Sequence, residues 1–160
     1  MNFTIRKSEH RDAVGIITVH NCSIRDNCSK DYTPEQIAAW IERGFRPEVW
    51  QQRMDRDFIW VVEGDGKVVG YGHLAIMDED LGEVLGLYFI RPALGQGQAK
   101  KLMQEIVGVA KEHGLKKLSL LSTVTAKTFY ESLGFLQTAS DTSVEINGVA
   151  IPCHPMELKI

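Results

Sequence analysis

An apolar run, a glycine-rich turn and a helical pattern follow one another in the middle of this chain. The apolar run spans residues 83–90, and the glycines after it are Gly95 and Gly97. Apolar residues at helical spacing then continue up to His113-Gly114, and a second apolar run, residues 118–121, follows directly. A strand, a helix and another strand in this order predict one β-α-β crossover, around which the rest of the fold has to be arranged.

The segments on either side of this unit predict antiparallel hairpins. Strands at residues 58–63 and 67–75 flank the turn 64–66, and Asn147-Gly148 is typical of a two-residue hairpin turn. Other elements follow from apolar spacing and cap residues: a strand at 3–7, helices at 13–24, 33–44, 47–54 and 126–133, and a last strand region from Phe135. Hairpins combined with one crossover predict an α/β (α+β) fold with a mixed sheet.

The bulk properties of the chain indicate one globular domain over residues 1–160. Hydrophobic residues make up 44% and charged residues 24% of the sequence, which is an ordinary globular balance. A net charge of −3 gives no electrostatic reason to expect nucleic acid or an anionic membrane as a partner. No apolar stretch approaches the ~18 residues of a membrane span, and the N-terminus has no apolar signal core, so we expect a cytoplasmic protein.

The cysteine pattern argues against disulfides and metal. The three cysteines are Cys22, Cys28 and Cys153, an odd number without CxxC spacing. Such a pattern favours reduced thiols over a disulfide framework or a zinc site. We therefore predict no bound metal.

The glycine-rich turn has the chemistry of an anion site. Free amides at the start of a helix bind anions, glycines let the backbone approach a phosphate, and Lys100 and Lys101 add positive charge. The segment is not a Walker A motif, and it is not a full GxGxxG because Lys100 stands where the third glycine would be. By itself it is as compatible with a turn that binds nothing as with a pyrophosphate site.

Two longer motifs resemble the GNAT superfamily of N-acetyltransferases. The run LYFIRPALGQGQAKKLM resembles the acyl-CoA signature of that family, with Gly97-Gln98-Ala99 at its Gly-x-Gly/Ala end. Residues 126–135, AKTFYESLGF, resemble the second signature, A-x-x-(F/L)-Y-x-x-x-G-F. The chain departs from the family pattern at Leu94, where Arg or Gln is usual, and at Thr123, where many members have Asn. The resemblance covers nearly the whole chain.

The resemblance implies both a fold and a reaction. The fold would be a mixed, mostly antiparallel central sheet of six to seven strands flanked by helices, with a splayed central strand pair. The reaction would be transfer of an acetyl group from acetyl-CoA to a primary amine by direct attack. The acceptor would be a small-molecule amine or a protein amine, and the resemblance is compatible with a homodimer.

The resemblance also implies where the cofactor binds. The pantetheine arm would lie like an extra strand against residues 87–90, and the backbone amide of Phe89 or Ile90 would polarise the acyl carbonyl. The pyrophosphate would lie on residues 95–100. The full predicted cofactor-binding set is Leu87, Tyr88, Phe89, Ile90, Gly95, Gln96, Gly97, Gln98, Ala99, Lys100, Thr123, Lys127 and Tyr130.

The catalytic groups are predicted in the same way. Tyr130 matches the tyrosine that the family places near the CoA sulfur, where its hydroxyl would stabilise the leaving thiolate. Glu83 is the predicted base for the amine, with His73 and His154 as alternatives. The acceptor site is expected among Tyr32, Trp40, Trp60 and His154.

Two other interpretations stay open at this stage. A GNAT fold that binds acyl-CoA without useful catalysis would act as a sensor or an interaction module. A nucleotide-binding domain of another α/β type would need a parallel sheet and an acidic ribose ligand after the glycine turn. The predicted antiparallel hairpins speak against the second interpretation.

Overall fold

The protein is built on one sheet of eight strands. The computed structural model describes residues 1–43 and 45–160. The strands are β1 (Phe3–Lys7), β2 (Phe58–Gly64), β3 (Lys67–Ile76), β4 (Leu81–Phe89), β5 (Lys117–Thr123), β6 (Leu136–Gln137), β7 (Thr142–Ile146) and β8 (Val149–Lys159). The helices are α1 (Ala13–Asn27), α2 (Pro34–Ile41), α3 (Pro47–Arg56), α4 (Gln98–Glu112) and α5 (Lys127–Ser132).

The sheet confirms the predicted mixed, mostly antiparallel α/β architecture. Its strand order is β1-β2-β3-β4-β5-β8-β6, and β7 also pairs with β8. The pairing of β4 with β5 is parallel, and the other pairings are antiparallel. The expected number of six to seven strands was too low. The additional strand, β6, has two residues and is too short to produce an alternating sequence pattern.

Local signals set several element boundaries. Thr33 and Gln36 form the capping box that their spacing predicts: the Thr33 hydroxyl accepts from the Gln36 amide, and the Gln36 side chain accepts from the Thr33 amide. The hairpin turn Asn147-Gly148 has positive φ at both residues, as a two-residue turn requires. Gly44, the predicted end of α2, lies outside the described residues.

Helices cover both faces of the sheet. The alternation along β2 shows the division: Ile59 and Val61 pack in a cluster with α1 and α3, whereas Trp60 and Val62 pack in the cluster that includes α4 and α5. A third buried cluster joins α1 and α2 to β7 and β8. None of the helices described in 1–43 and 45–160 is long and apolar enough to cross a membrane.

The centre of the sheet is splayed. Residues 81–83 of β4 pair with residues 117–119 of β5, and the pairing stops there. Next to this point β4 carries a bulge, because Val84 and Gly86 oppose consecutive residues of β3 and Leu85 has no opposite partner. The strands then diverge towards Phe89 and Thr123. The predicted splayed central strand pair is therefore present.

A ring-on-glycine contact fixes the far end of β4. Gly70 of β3 lies opposite Phe89, and a Cβ at residue 70 would clash with the Phe89 ring. The Phe89 side chain is 3% exposed, so the ring cannot move away into solvent. Glycine at residue 70 thus allows the end of β4 to be held against β3.

We expect Gly70→Ala to destabilise the protein by about 1–3 kcal/mol, because the added methyl overpacks a filled core. Gly108→Ala is the matched control. Gly108 lies in α4 with open space around its Cα, so alanine there should stabilise by about 0.5–1 kcal/mol through helix propensity. Denaturant unfolding followed by circular dichroism measures both effects. A Gly70→Ala variant as stable as the parent would contradict the contact.

Candidate active site

Two clefts meet where β4 and β5 separate. The first, here called the glycine-loop cleft, has a volume of about 260 Å³ and runs between the end of α1, β4, β5, the start of α4 and α5. The second, the aromatic cleft, has a volume of about 350 Å³ and is walled by α2, α3, β3 and β8. The residues that line both clefts are Val84, Leu85, Tyr88, Leu121 and Thr123. A molecule in one cleft can therefore approach a molecule in the other.

The loop before α4 presents a row of unused amides. Gly95 and Gly97 have φ values of +73° and +76°, and Gly97 is the N-cap of α4. The first helical bond runs from the Lys101 amide to the Gly97 carbonyl at 3.2 Å. Within the described part of the chain, the six amides of residues 95–100 find no acceptor. Such a row of donors at a helix N-terminus suits an anion.

The glycine-loop cleft begins at this loop. Leu94 and Ala99 line it, so the row of amides and the cleft are continuous. Lys100 is exposed in the first turn of α4 and adds positive charge at the same end. Gln98 is buried, and its side-chain amide points back at the Gln96 carbonyl at 3.5 Å.

The open edge of β4 forms one wall of this cleft. The Ile90 amide donates to the Val69 carbonyl of β3 at 2.9 Å, so Ile90 is not available to polarise a ligand. In an antiparallel ladder the next residue turns its N–H and C=O to the other side. Phe89 and Leu87 therefore direct their backbone groups into the gap that β5 leaves. Of the two predicted amides, Phe89 is the one that faces the cleft.

Asn27, at the last turn of α1, completes this wall. Its Nδ2 donates to the Phe89 carbonyl at 2.8 Å and to the Ser23 hydroxyl at 3.2 Å. Its Oδ1 is enclosed and has no donor among the described residues. Both Asn27 and Ser23 line the glycine-loop cleft. The sequence analysis did not identify either residue, because nothing local in a helix indicates which distant strand it meets.

Tyr130 closes the same cleft from α5. Its side chain is 7% exposed and packs edge-on against Phe129 and Phe135, with ring centroids 5.4 and 5.6 Å away. The hydroxyl makes no hydrogen bond to a described residue, although Tyr130 lines the cleft. Burial raises the pKa of Tyr130, so the phenol keeps its proton and is a hydrogen-bond donor at neutral pH.

Thr123 and Lys127 differ in their relation to the site. Thr123 lines both clefts, and its hydroxyl accepts from the Ala126 amide at 3.0 Å. Lys127 lines neither cleft. The pKa of Asp141 is lowered mainly by a hydrogen bond from Gln137, and the charge of Lys127 makes a smaller contribution in the same direction. Lys127 is therefore outside the cleft lining, and its contact with the cofactor stays a prediction.

Two of the three predicted bases line the aromatic cleft. Glu83 is the last residue of β4 that pairs with β5, and burial raises the pKa of its carboxyl. His73 is buried, with its Nε2 2.8 Å from Asp57 Oδ2. Burial lowers the pKa of His73 in spite of this partner. Both groups lie on the wall that the acceptor would meet.

His154 and Trp60 lie away from the aromatic cleft. Cys153 lines the cleft, and the next residue on a strand points to the opposite face. His154 accordingly packs with Asp141, 2.7 Å from its Oδ1. Trp60 is buried on the α4 side of the sheet. The structure does not bring these two side chains to the aromatic cleft, because the face of a strand residue depends on register.

Tyr32 and Trp40 line the aromatic cleft, and their place in the acceptor site stays a prediction. The Tyr32 hydroxyl donates to the Pro152 carbonyl at 2.7 Å and accepts from the Val124 amide at 2.9 Å. Burial raises the pKa of Tyr32 to about 12. Its hydroxyl therefore bridges β8 to the segment after β5 and holds the rim of the cleft.

The aromatic cleft also contains residues that the sequence analysis did not place there. His20 of α1 lies against Tyr88, with ring centroids 5.1 Å apart, and burial lowers the pKa of His20 to about 4. The predicted helix at residues 13–24 includes His20, but helical spacing does not show what this side chain faces. Arg53 and Trp50 of α3 line the cleft as well. No group of three or more His, Cys, Asp or Glu side chains in the described residues is placed to hold a metal ion.

Comparisons with known proteins show the family and the fold of this chain. The family described as an acetyltransferase (GNAT) domain matches residues 28–160. YjgM, an uncharacterized N-acetyltransferase of Escherichia coli strain K12, is 39% identical over 82 residues, which are 48% of this chain and 49% of YjgM. The chain thus spans about half the length of this curated relative.

Solved structures show the same fold. A GCN5-related N-acetyltransferase from Rhodopseudomonas palustris superimposes with a TM-score of 0.89 at 19% identity, over 100% of this chain and 97% of the other. The PaiA N-acetyltransferase of Thermoplasma acidophilum, in complex with coenzyme A, gives a TM-score of 0.84 at 22% identity over 100% of both chains. These likenesses concern the fold, whereas the family match covers most of the sequence. The chain belongs to the GNAT acetyltransferase family.

Proposed function

We propose that this protein transfers an acetyl group from acetyl-CoA to a primary amine by direct attack. The observation that carries the proposal is the continuity of the glycine-loop cleft. It leads from the unused amides of residues 95–100, along the open edge of β4, to the free hydroxyl of Tyr130. It then opens at the splay into a second cleft. A thioester near Tyr130 would lie where an amine can reach it.

The pyrophosphate of the cofactor would bind at the loop before α4. The donors there are backbone amides, supported by the helix dipole and by the charge of Lys100. The pantetheine arm would then extend β4 like a short strand, using the backbone groups of Leu87 and Phe89 that face the gap. The enclosed Oδ1 of Asn27 is an additional acceptor beside this path.

The acetyl transfer needs a donor at the developing oxyanion. The amine nitrogen attacks the thioester carbon, the new C–N bond forms, and negative charge collects on the carbonyl oxygen. The Phe89 amide, directed into the cleft, is our candidate for that donor. A preorganised donor of this type contributes about 3–4 kcal/mol to the transition state. The C–S bond then breaks and the sulfur leaves as a thiolate.

Tyr130 would stabilise the thiolate as a donor without losing its proton completely. A phenol has an ordinary pKa of about 10 and a thiol about 8.5, so complete transfer is uphill by about 2 kcal/mol. Burial raises the pKa of Tyr130 and widens this gap. A hydrogen bond to sulfur is therefore the role that suits this phenol, with protonation by solvent after the products separate.

The proton of the attacking amine needs an acceptor on the side of the aromatic cleft. Glu83 is the better placed of the two, because it lines the aromatic cleft and makes no side-chain hydrogen bond within the described residues, whereas His73 is buried and engaged with Asp57. Burial also raises the pKa of the Glu83 carboxyl towards the working pH. His73 is the alternative, and burial makes its imidazole a weaker base. We therefore assign the base to Glu83.

A second candidate function is a sensor that binds acyl-CoA without catalysis. The free Tyr130 hydroxyl beside an open acceptor cleft favours the enzyme, since a sensor needs neither. A screen for release of free CoA over a panel of amines separates the two. Sustained release with any amine supports transfer, and binding of acetyl-CoA without release supports the sensor.

We expect Gly97→Val to abolish CoA binding. Valine at the φ of +76° is strained by about 1–2 kcal/mol, and relief of the strain would turn the amides away from the phosphates. Gly114→Val is the matched control, because Gly114 follows the other end of α4 with a φ of +74°. It should carry similar strain and keep its CoA affinity. Leu94→Ala should change the affinity little. Calorimetric titration with CoA measures all three, and a Gly97→Val variant with parental affinity would refute the backbone site.

We expect Tyr130→Phe to lower kcat by about 10- to 100-fold, the loss that corresponds to one hydrogen bond to a charged group. The KM for acetyl-CoA should stay within about twofold, because the ring and its packing remain. The free energy of unfolding should also be unchanged, since the hydroxyl bonds to no described residue. Steady-state kinetics and denaturant unfolding test these points. An unchanged kcat would rule out the donor role.

We expect the acid limb of the pH–rate profile to belong to Glu83. Activity should fall as the pH drops through a carboxyl pKa that burial has raised, because the protonated acid cannot accept the proton of the amine. Glu83→Gln should lower kcat/KM and remove that limb. His73→Asn serves as the comparison and should leave the limb in place. A profile that Glu83→Gln does not alter would transfer the role to another group.

A further inference from the structure

We propose that the acceptor amine carries a carboxylate and that Arg53 binds this carboxylate in the aromatic cleft. The inference rests on the proposed acetyl transfer and names the class of its acceptor, an aminocarboxylate with an apolar body. It starts from the charges that line the cleft and have no counter-ion in the described part of the chain.

The aromatic cleft has a surplus of positive charge. Its charged lining consists of Arg43, Arg53, Arg56 and Glu83. Arg56 is already paired with Asp57, 3.2 Å from Oδ2. Arg43 and Arg53 form no ion pair and no hydrogen bond with another residue in 1–43 and 45–160. Arg43 is exposed, whereas Arg53 is half-buried. A charge that is partly withdrawn from water is normally paired, and here a ligand would supply the partner of Arg53.

Arg53 is held in place by two rings. Its guanidinium carbon lies 4.6 Å from the centre of the Phe45 ring and 4.9 Å from that of Trp50. The two rings meet edge to face, 5.8 Å apart. Stacking on aromatic faces fixes a guanidinium but uses none of its N–H groups. Arg53 therefore offers an oriented fork of donors, the geometry that a carboxylate accepts in a bidentate manner.

Among the described residues Arg53 has no counter-ion of its own: Asp57, the carboxylate that acts on it, is already paired with Arg56 and His73. The indole Nε1–H of Trp50 is enclosed and has no acceptor among the described residues. His20, on the same cleft, is kept neutral because burial, together with the charges of Arg43 and Arg53, lowers its pKa to about 4. His73 is engaged with Asp57. The only acidic side chain on the lining, Glu83, is the proposed base and is needed for the amine.

The walls of the cleft fit a small apolar body. They include Trp40, Phe45, Trp50, Tyr71 and Tyr88. The volume of about 350 Å³ is at the lower end of the range for small-molecule sites. An amino acid with an apolar side chain has the required groups: an amine for Glu83 and the splay, a carboxylate for Arg53 and a side chain for the rings. The side-chain amine of a protein lysine is not accompanied by a free α-carboxylate.

The experiment compares acids with their amides. Release of CoA from acetyl-CoA is measured with alanine, leucine and phenylalanine, each against its carboxamide, which removes only the charge. We expect kcat/KM to be about 10- to 100-fold higher for the best acid than for its amide, as a charge-assisted bidentate pair allows. The amine of the amide is less basic and more often neutral, so the comparison is biased against the expected result.

Variants of Arg53 link the preference to this residue. Arg53→Met keeps an unbranched side chain between the rings and should remove the preference, by raising the KM of the acid while leaving the amide unchanged. Arg53→Lys keeps the charge but loses the forked arrangement of donors, so it should retain part of the preference for the acid. This variant also keeps the test valid if Arg53→Met folds poorly. Arg25→Met changes an exposed arginine of α1 that lines neither cleft, and it should keep the preference.

Two outcomes would overturn the inference: equal use of acids and amides by the parent protein, or a preference that survives in Arg53→Met. Calorimetric titration with N-acetylphenylalanine and its amide tests the subsite without turnover. Tighter binding of the acid that Arg53→Met abolishes supports the subsite even if no amine releases CoA, in which case the proposed transfer fails and the subsite stands. Equal binding of the two ligands contradicts the subsite.

Discussion

The parallel pairing between β4 and β5 ends after residues 83 and 119, and the two proposed binding sites both depend on where it ends. In a continuous sheet the N–H and C=O groups of Leu87 and Phe89 would bond to the next strand. Here they face a gap, and a polar group left unpaired in a buried place costs about 1–3 kcal/mol. Asn27 satisfies one of them by donating to the Phe89 carbonyl. The other backbone groups of Leu87 and Phe89 that face the gap stay without a partner strand, and a ligand bound like a strand would form hydrogen bonds with them.

The same burial would suit the two opposite chemical roles proposed at this opening. It raises the pKa of Tyr130 and the pKa of Glu83. For the phenol, a higher pKa means that the proton is retained and can be shared with a leaving sulfur. For the carboxyl, it means a stronger base toward the attacking amine. One desolvated environment can therefore supply a donor on one side of the splay and an acceptor on the other. Holding both reactants there also lowers the entropic cost of their meeting.

Local patterns predicted the frame of the structure well. The strand–glycine turn–helix–strand unit, the capping box at Thr33 and the turn at Asn147-Gly148 depend on neighbouring residues, and each was read correctly. The face of Trp60 was not, because residues 58–62 are all apolar and such a run has no alternation to show which side meets the acceptor.

The residues that form the cleft walls could not be predicted from local patterns. The contact of Arg53 with Phe45 joins α3 to the segment before it, and the bond from Asn27 to Phe89 joins residues far apart in the chain. These contacts depend on tertiary packing, which has no periodic signal. The sequence of the glycine turn indicates a possible anion site. The cleft that connects this turn to Tyr130 is formed by tertiary packing and has no signal in the local sequence.

The loop before α4 is built almost entirely from main chain. Its six amides at residues 95–100 belong to the backbone, and the two glycine torsion angles that direct them are its main requirement. The side chains of Leu94, Gln96 and Lys100 are exposed, so they can drift in evolution without removing a donor. A site of this kind keeps its backbone conformation when its side chains are replaced. Descendants of this chain can therefore diverge widely at those positions and still present the same row of N–H groups, provided that glycine stays where φ is positive.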